Sequence, residues 1–147
     1  MADTLRDRAL ALLARREHSR AELRRKLGGG DEVESVLDEL EARDWLSDAR
    51  FAARYVESYR SRFGRRRLEY GLRERGIAES LIHEVLADTS DEDGNHELSR
   101  ARTLWARKFG NPPADAREKA RQVRFLQSRG FDFDIIRRVL GGEDDES

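Results

Sequence analysis

The sequence contains no cysteine, and its three histidines lie far apart at positions 18, 83 and 96. Without cysteine the chain has no disulfide, no thiol nucleophile and no thiolate ligand for a metal ion. The histidine spacing gives no paired ligands on one helix face, so we expect surface or helix-end roles for these residues. We therefore expect neither a metal ion nor another cofactor.

Features of membrane proteins and exported proteins are also missing. No apolar run approaches the roughly 20 residues that a membrane-spanning helix needs. The N-terminal segment mixes acidic and basic residues and lacks the apolar stretch of a signal peptide. We therefore expect a cytoplasmic protein that does not bind membranes.

Catalytic motifs are scarce. No serine lies in a Gly-x-Ser-x-Gly motif. The glycines at 28–30 could suggest a phosphate-binding loop, but such a loop follows a strand and leads into Lys and Ser or Thr. Here a predicted helix precedes the glycines, and Asp31 and Glu32 follow them with carboxylates that would repel a phosphate. We interpret the glycines as a helix connector and expect no enzymatic activity.

Charged residues are abundant and segregated along the chain. They make up 40% of the residues, yet the formal net charge is only −1. The segment 50–75 carries nine arginines against three glutamates, whereas 31–41 and 76–97 carry acidic residues and no lysine or arginine. Such alternating patches suit a partner that is itself of mixed charge.

Apolar residues recur at helical spacing throughout the chain, which predicts nine short helices and no strand. Ser19 and Glu22 form a capping-box pattern that begins the second helix, and Asp31 is expected to cap the third. The sixth helix is predicted to bury Ile77. On the eighth helix the expected buried residues are Ala116, Ala120, Val123 and Leu126.

The fourth predicted helix begins at Ser47 or Asp48 and carries an aromatic series. Its members follow one another at intervals of four residues and should share one face of the helix; they are Phe51, Tyr55, Tyr59 and Phe63. Such a face is usually part of a core, and the alternative is a surface on which nucleic-acid bases stack.

An internal repeat organises these helices. The segment 72–77 (LRERGI) aligns with 126–131 (LQSRGF) at an offset of 54, and an offset of 45 relates the second and fifth predicted helices. Units of this size have too little core to fold well alone, so neighbouring units share apolar surface. The sequence predicts an all-α protein of three tandem three-helix repeats stacked into an elongated, curved rod.

The repeat pattern also predicts the domain boundaries. The first repeat spans 1–46, the second 47–88 and the third 96–142. An acidic linker is expected at 89–95, and a disordered acidic tail at 143–147.

Two groups of basic residues are candidate binding sites. The middle basic cluster turns the corner between two predicted helices and contains Arg54, Arg60, Arg62, Arg65, Arg66, Arg67, Arg73 and Arg75. A weaker group, the helix-eight cluster, contains Arg117, Lys119, Arg121, Arg124 and Arg129. A charge run is usually a solvated face, but arginines with few interleaved acids also suit a polyanion or an acidic protein.

Three segments resemble the RecX family. The segment 45–56, WLSDARFAARYV, resembles its hallmark of aromatic-Leu-Asp-Asp followed by aromatic-Ala, although Ser47 replaces the usual first aspartate. The segments RLEYGLRERGI at 67–77 and FLQSRGF at 125–131 resemble the patterns of its second and third repeats. The three segments occur in the family's order, and the resemblance covers about residues 9–141.

This resemblance implies a fold and a function. It implies three tandem three-helix repeats without catalytic activity, which bind the RecA–DNA filament within its helical groove. Binding would restrain ATP hydrolysis, strand exchange and coprotease activity of RecA in recombination and the SOS response. We expect a monomer whose partner is the RecA nucleoprotein filament, with weak binding to single- or double-stranded DNA. The rival hypothesis is a stand-alone helical DNA-binding protein, against which the acidic blocks argue.

Overall fold

The computed structural model describes residues 4–89 and 95–141. These ranges contain helices and turns and no strand, so the all-α prediction is confirmed. The nine helices are α1 (Leu5–Arg15), α2 (Arg20–Leu27), α3 (Asp31–Ala42), α4 (Asp48–Tyr59), α5 (Arg65–Glu74), α6 (Glu79–Thr89), α7 (Asn95–Lys108), α8 (Ala116–Ser128) and α9 (Phe133–Gly141). Of the predicted linker, only 89 and 95 are described, as helix ends. The predicted tail at 143–147 lies outside the described residues.

The chain divides into two compact units. Unit 1 comprises Met1–Glu57 and Leu72–Val85, and unit 2 comprises Ser58–Gly71 and Leu86–Ser147. Residues of the predicted second repeat therefore contribute to both units. The repeat boundaries themselves remain a prediction.

Unit 1 has its core among the first three helices. Capping boxes of Thr4 with Asp7 and of Ser19 with Glu22 begin α1 and α2, because each side chain bonds the other residue's backbone N–H. The buried core residues are Ala9, Leu23, Leu27, Val33, Leu37, Leu40 and Leu46. Each fully buried leucine stabilises the fold by about 1.5–3 kcal/mol relative to an exposed one.

Unit 2 has its core among α7, α8 and α9. The buried residues are Leu98, Ala101, Leu126, Phe131, Ile135, Ile136 and Val139. On α8 the predicted inward face is wrong in part, because Ala116 and Ala120 are exposed and Gln122 is buried beside Leu126. Gln122 and Leu126 are four residues apart and therefore share one face of the helix.

Two helix starts differ from the sequence prediction. Gly30, not Asp31, occupies the N-cap position of α3, and Asp31 is the first helical residue. There its carboxylate can still interact favourably with the positive end of the helix dipole. Ile77 is buried but precedes α6, which begins at Glu79.

The aromatic series is likewise broken, because α4 ends at Tyr59 and Phe63 lies beyond it. The N–H groups of Arg62 and Phe63 both donate to the Tyr59 carbonyl oxygen, at 2.9 and 3.0 Å. This turn stacks the Phe63 ring on the Tyr59 ring, with centroids 5.5 Å apart. Phe51 is buried, whereas Tyr55, Tyr59 and Phe63 are half-buried.

The 54-residue repeat is visible in the backbone geometry. The Ile77 N–H donates to the Leu72 carbonyl at 3.1 Å, and the Phe131 N–H donates to the Leu126 carbonyl at 3.2 Å. Each loop contains a left-handed glycine at the same position, with φ of +80° at Gly76 and +93° at Gly130. The two segments that align in sequence therefore form the same helix C-terminus.

Candidate partner-binding surface

The acidic block at 31–41 is largely neutralised within unit 1. The Arg20 guanidinium lies 2.8 Å from Glu34, 2.8 Å from Asp38 and 2.6 Å from Glu41. Arg24 pairs with Glu34 at 2.5 Å. Hydrogen bonds from Arg24 and Arg20 lower the pKa of Glu34 to about 2. This block is therefore not the bare acidic face that its composition suggests.

An exposed tryptophan lies beside two arginines in the same unit. The guanidinium carbons of Arg6 and Arg43 lie 5.7 and 5.2 Å from the Trp45 ring centroid. Both arginines also pair with one oxygen of Glu39, at 3.0 and 3.3 Å. These contacts use the π-face of the tryptophan and the charges of the arginines within unit 1.

Three members of the middle basic cluster lie in unit 1, and two of them are paired. Arg73 lies 2.5 Å from Glu79, and Arg75 lies 3.8 Å from Glu22. The Arg75 guanidinium also lies over the Tyr55 ring. Arg54 is exposed. The structure therefore does not place all eight arginines of the cluster in one compact unit.

The other five members lie in unit 2, where few carboxylates meet them. Arg65 pairs with Glu69 at 3.3 Å. Arg62 and Arg67 lie instead over the Tyr59 and Phe63 rings, at 5.0 and 4.4 Å. Within the described ranges, these two arginines, Arg60 and Arg66 have no carboxylate at ion-pair distance. Arg60 is half-buried and Arg66 is exposed.

A backbone junction brings this segment against the end of α8. The Gly64 N–H donates to the Arg129 carbonyl at 2.7 Å, and the Arg66 N–H donates to the Gly130 carbonyl at 3.1 Å. The Arg67 guanidinium donates to the Ser128 carbonyl at 2.9 Å. A side chain at Gly130 would clash with Arg67, so the close approach requires glycine.

The junction joins parts of the two basic groups that the sequence analysis treated as separate. Arg129 and Lys108 lie over the Phe125 ring, at 5.0 and 5.7 Å from its centroid. In the part of unit 2 that the structure describes, neither cation has a carboxylate partner. We call the combined set the basic–aromatic surface: Tyr59, Arg60, Arg62, Phe63, Arg66, Arg67, Lys108, Phe125 and Arg129.

The remaining helix-eight candidates are more dispersed. Arg121 pairs with Glu118 at 3.5 Å and lies over the Phe109 ring. Arg117, Lys119 and Arg124 are exposed. Because α8 advances 100° per residue, Lys119 lies on the opposite side of the helix from Arg121 and Arg124. Lys119 also lies about 120° around the helix from Phe125, which is the member of the basic–aromatic surface within α8, so it is directed away from that surface.

His18 was expected at the surface or at a helix end, and the prediction of a surface position is wrong. It is only 1% exposed and immediately precedes the N-cap of α2. Its Nδ1 lies 3.0 Å from the Arg16 carbonyl oxygen, and its Nε2 lies 3.1 Å from Lys26 Nζ. Burial lowers the pKa of His18, and the charges of Arg16 and Lys26 lower it further. A neutral ring that donates to the carbonyl and accepts from the ammonium satisfies both contacts.

Gln122 is a second buried polar residue that the sequence analysis missed. Its side-chain oxygen accepts a hydrogen bond from the Trp105 indole at 2.8 Å. Its amide nitrogen donates to the Asn111 carbonyl at 3.2 Å and to Glu118 at 3.1 Å. The available sequence signal was its position four residues from both Glu118 and Leu126, on the inner face of α8.

Comparison with known proteins identifies the family. Residues 47–86 match the model of the second three-helix domain of RecX, and residues 95–140 match that of the third. The chain is 50% identical over 147 residues to regulatory protein RecX of Leptothrix cholodnii, covering 97% of this chain and 91% of the relative. It is 47% identical over 148 residues to that of Chromobacterium violaceum, covering 97% and 93%. The chain belongs to the RecX family.

Solved RecX structures share the fold. The crystal structure of RecX from Lactobacillus salivarius superposes with a TM-score of 0.77 at 21% identity, over 95% of this chain and 94% of that one. A second crystal structure of regulatory protein RecX also gives 0.77, at 22% identity, over 95% and 72%. The protein is thus an all-α regulatory protein built from RecX three-helix domains. Among the described residues, no helix is long and apolar enough to span a membrane.

The hallmark segment of RecX performs structural roles in this chain. Ser47, which departs from the family pattern, accepts a hydrogen bond from the Arg50 N–H at 3.0 Å and so still caps α4. Asp48 accepts from the Arg20 N–H at 2.7 Å, which ties α4 to α2. Leu46 and Phe51 are buried. These contacts account for Leu46, Ser47, Asp48 and Phe51 without a ligand.

Proposed function

We propose that the protein binds the RecA nucleoprotein filament and restrains its ATP hydrolysis, strand exchange and coprotease activity, without catalysing a reaction itself. The basic–aromatic surface of unit 2 would be the main contact. Family membership supports a regulatory role, and the relatives are named regulatory protein RecX. A filament of protein and DNA offers both phosphates and acidic side chains to such a surface.

The observation that carries the proposal is the difference in charge pairing between the units. In unit 1, Arg6, Arg20, Arg24 and Arg50 all have carboxylate partners from other helices or loops. In the described part of unit 2, the ion pairs of Arg65, Arg121 and Arg137 join residues three or four positions apart on the same helix. Cations left beside aromatic rings and without carboxylates remain available to an external anion.

The side-chain chemistry also suits phosphate. Arginine presents a planar fork of donors that matches phosphate oxygens, and stacking on an aromatic ring leaves the edge of that fork accessible. Arg62, over the Tyr59 ring, meets this condition, whereas Arg67, over the Phe63 ring, already donates one hydrogen bond to the Ser128 carbonyl. Attachment of this surface to adjacent subunits would slow the subunit motions that recombination needs. Arg54, Arg73 and Arg75 would contribute less, because two of them already have partners in unit 1.

A charge-reversal experiment tests the proposal. The variant would combine Arg60→Glu, Arg62→Glu and Arg66→Glu, all outside the backbone junction's side-chain contacts. Its matched control would combine Arg8→Glu, Arg15→Glu and Arg25→Glu, which are exposed arginines of unit 1. Both changes alter the net charge equally. ATP hydrolysis by RecA on single-stranded DNA is measured with each protein added, and circular dichroism checks the helix content.

The expected result is that the wild type and the control inhibit hydrolysis, whereas the unit 2 variant at equal helix content does not. Absence of inhibition by the wild type at stoichiometric excess would refute the function. Full inhibition by the unit 2 variant would refute the assignment of the surface.

A stand-alone DNA-binding function is the second candidate, and the aromatic rings interleaved with cations favour it. Its signature would be tight binding to DNA without RecA, with an affinity that falls steeply with salt because several phosphates are neutralised. Binding that requires RecA, or that responds weakly to salt, would favour the filament proposal. The two functions therefore separate in one titration with and without RecA.

A further inference from the structure

A second surface of unit 2 has a different chemistry. The loop before α8, one side of α8 and one side of α9 line an open groove of about 290 Å³. Its floor and one edge are apolar and are formed by Pro112, Pro113, Val123, Phe133, Ile136 and Leu140. This volume is near the lower limit of about 300 Å³ for ligand pockets, so it holds side chains and not a folded element.

Phe133 stands out at the edge of this groove. It is the first residue of α9 and is 62% exposed, while Ile135 and Ile136 on the same helix are buried. A phenylalanine with this exposure contributes little to the core. A large apolar side chain that extends an apolar groove is typical of a surface that binds another molecule.

Two basic residues lie at the rim of the groove, and one of them has no carboxylate partner among the described residues. Lys119 is exposed and has no carboxylate partner among the described residues, and Arg137 pairs only with Asp134, at 2.5 Å. Lys119 and Val123 lie one turn apart on one side of α8, whereas Phe125 and Ser128 face other directions. The groove is therefore separate from the basic–aromatic surface.

We propose that this groove binds an acidic protein segment that inserts apolar side chains beside Phe133. The proposal rests on the proposed function and assigns the segment to the protein component of the filament, RecA. A nucleic acid fits poorly, because its base edges and phosphates would lose hydrogen bonds on an apolar floor. A peptide with apolar anchors and acidic neighbours fits both the floor and the Lys119 rim.

The test uses the full chain with a fluorescent label. Its binding is titrated against RecA filaments assembled on single-stranded DNA, and against the DNA alone, at several salt concentrations. The groove variants are Phe133→Ala and Lys119→Glu. Their controls are Tyr70→Ala, an aromatic residue of unit 2 that is 59% exposed, and Arg102→Glu, a charge reversal at an exposed α7 residue of unit 2 outside the groove.

Phe133→Ala is expected to weaken filament binding by at least about tenfold at every salt concentration, as expected for an aromatic anchor at an interface. The slope of affinity against salt should stay unchanged, because no phosphate contact is lost. Lys119→Glu should also weaken filament binding. Binding to DNA alone should be unaffected by both groove variants, and the controls should bind filaments within about threefold of the wild type.

Four outcomes would overturn the proposal. If Phe133→Ala binds filaments as tightly as the wild type does, the groove is excluded as a binding site. The proposed function would still stand in that case, because the wild type binds the filament. If the wild type does not bind filaments, both the groove proposal and the proposed function are refuted. A wild-type dimer that Phe133→Ala dissociates in sedimentation would assign the groove to a second copy. Filament binding that Phe133→Ala weakens only while residues 143–147 are present, and not after their deletion, would assign the groove to the chain's own acidic tail.

Discussion

The Ser19 hydroxyl donates a hydrogen bond to the Arg75 carbonyl oxygen, 2.7 Å away and 56 residues later in the chain. In unit 2, the Gly64 N–H donates to the Arg129 carbonyl, also at 2.7 Å. Ser19 and Gly64 precede α2 and α5, and each acceptor precedes a left-handed glycine. The repeat in the sequence therefore corresponds to a repeated hydrogen bond between the start of one helix and the end of a later one.

Replacement of Ser19 tests this contact in unit 1. Ser19→Ala removes both the cap of α2 and the donor to Arg75, and Ser19 is fully buried. We expect a loss of about 1–3 kcal/mol in the free energy of unfolding. Urea denaturation measures it, with Ser35→Ala on the exposed side of α3 as the control. A loss of less than about 0.5 kcal/mol would show that water replaces the bond.

The junction in unit 2 can be tested with two glycines of similar conformation. Gly28 and Gly130 have φ of +97° and +93°, but only at Gly130 would an added Cβ clash, with Arg67. Gly28→Ala should cost about 1–2 kcal/mol from backbone strain. Gly130→Ala should cost about 1–3 kcal/mol more, because the crowded backbone must move. Equal losses in thermal unfolding would contradict the close approach.

His18 should make stability depend on pH. Its pKa in the folded protein is below the ordinary 6.5, mainly because it is buried. The unfolded chain therefore binds the proton more readily, and stability falls as the pH drops below about 6.5 toward the folded-state pKa. We expect a lower melting temperature at pH 5.5 than at pH 7.5, and a smaller difference in His18→Gln. The exposed His83→Gln should retain the wild-type difference.

The pKa of Glu34 offers a direct measure of the arginine network. Its value of about 2, against an ordinary 4.5, depends first on Arg24 and then on Arg20. Since the folded-state pKa is lowered, the contribution of Glu34 to stability is present above about pH 4.5 and is lost toward pH 2. Arg24→Gln should raise this pKa, as measured by NMR titration of the carboxyl carbon. An unchanged pKa would mean that Arg20 alone holds the carboxylate.

Local sequence signals predicted the helices well, because their causes lie within a few residues. Ser19 with Glu22, and the glycines after α5 and α8, act on the backbone next to them. The junction of Gly64 with Arg129 could not be predicted, since the partners are far apart in sequence and join through backbone atoms common to all residues. The junction also determines which arginines can be replaced in a binding test. Arg65 and Arg67 hold structural contacts, so their reversal would test folding together with binding.

The candidate surface was only partly accessible to sequence reasoning. Charge density located the arginines but not their partners, which lie on other helices in the case of Arg20 and Arg75. Gln122 is polar and would be expected at the surface, but it is buried because its side chain accepts a hydrogen bond from the Trp105 indole. Phe133 is apolar and would be expected in the core, but it is exposed. Both residues depart from the simple rule that polar residues are exposed and apolar residues are buried. Their burial depends on how the helices pack, which the sequence alone does not give.

The chain has two tryptophans, and they lie in different units: Trp45 in unit 1 beside Arg6 and Arg43, and Trp105 in unit 2 bonded to Gln122. One is 43% exposed and the other half-buried, so their fluorescence spectra should differ. Replacing either by phenylalanine leaves an optical reporter for a single half of the molecule. Such reporters can follow which half responds first when the filament is added.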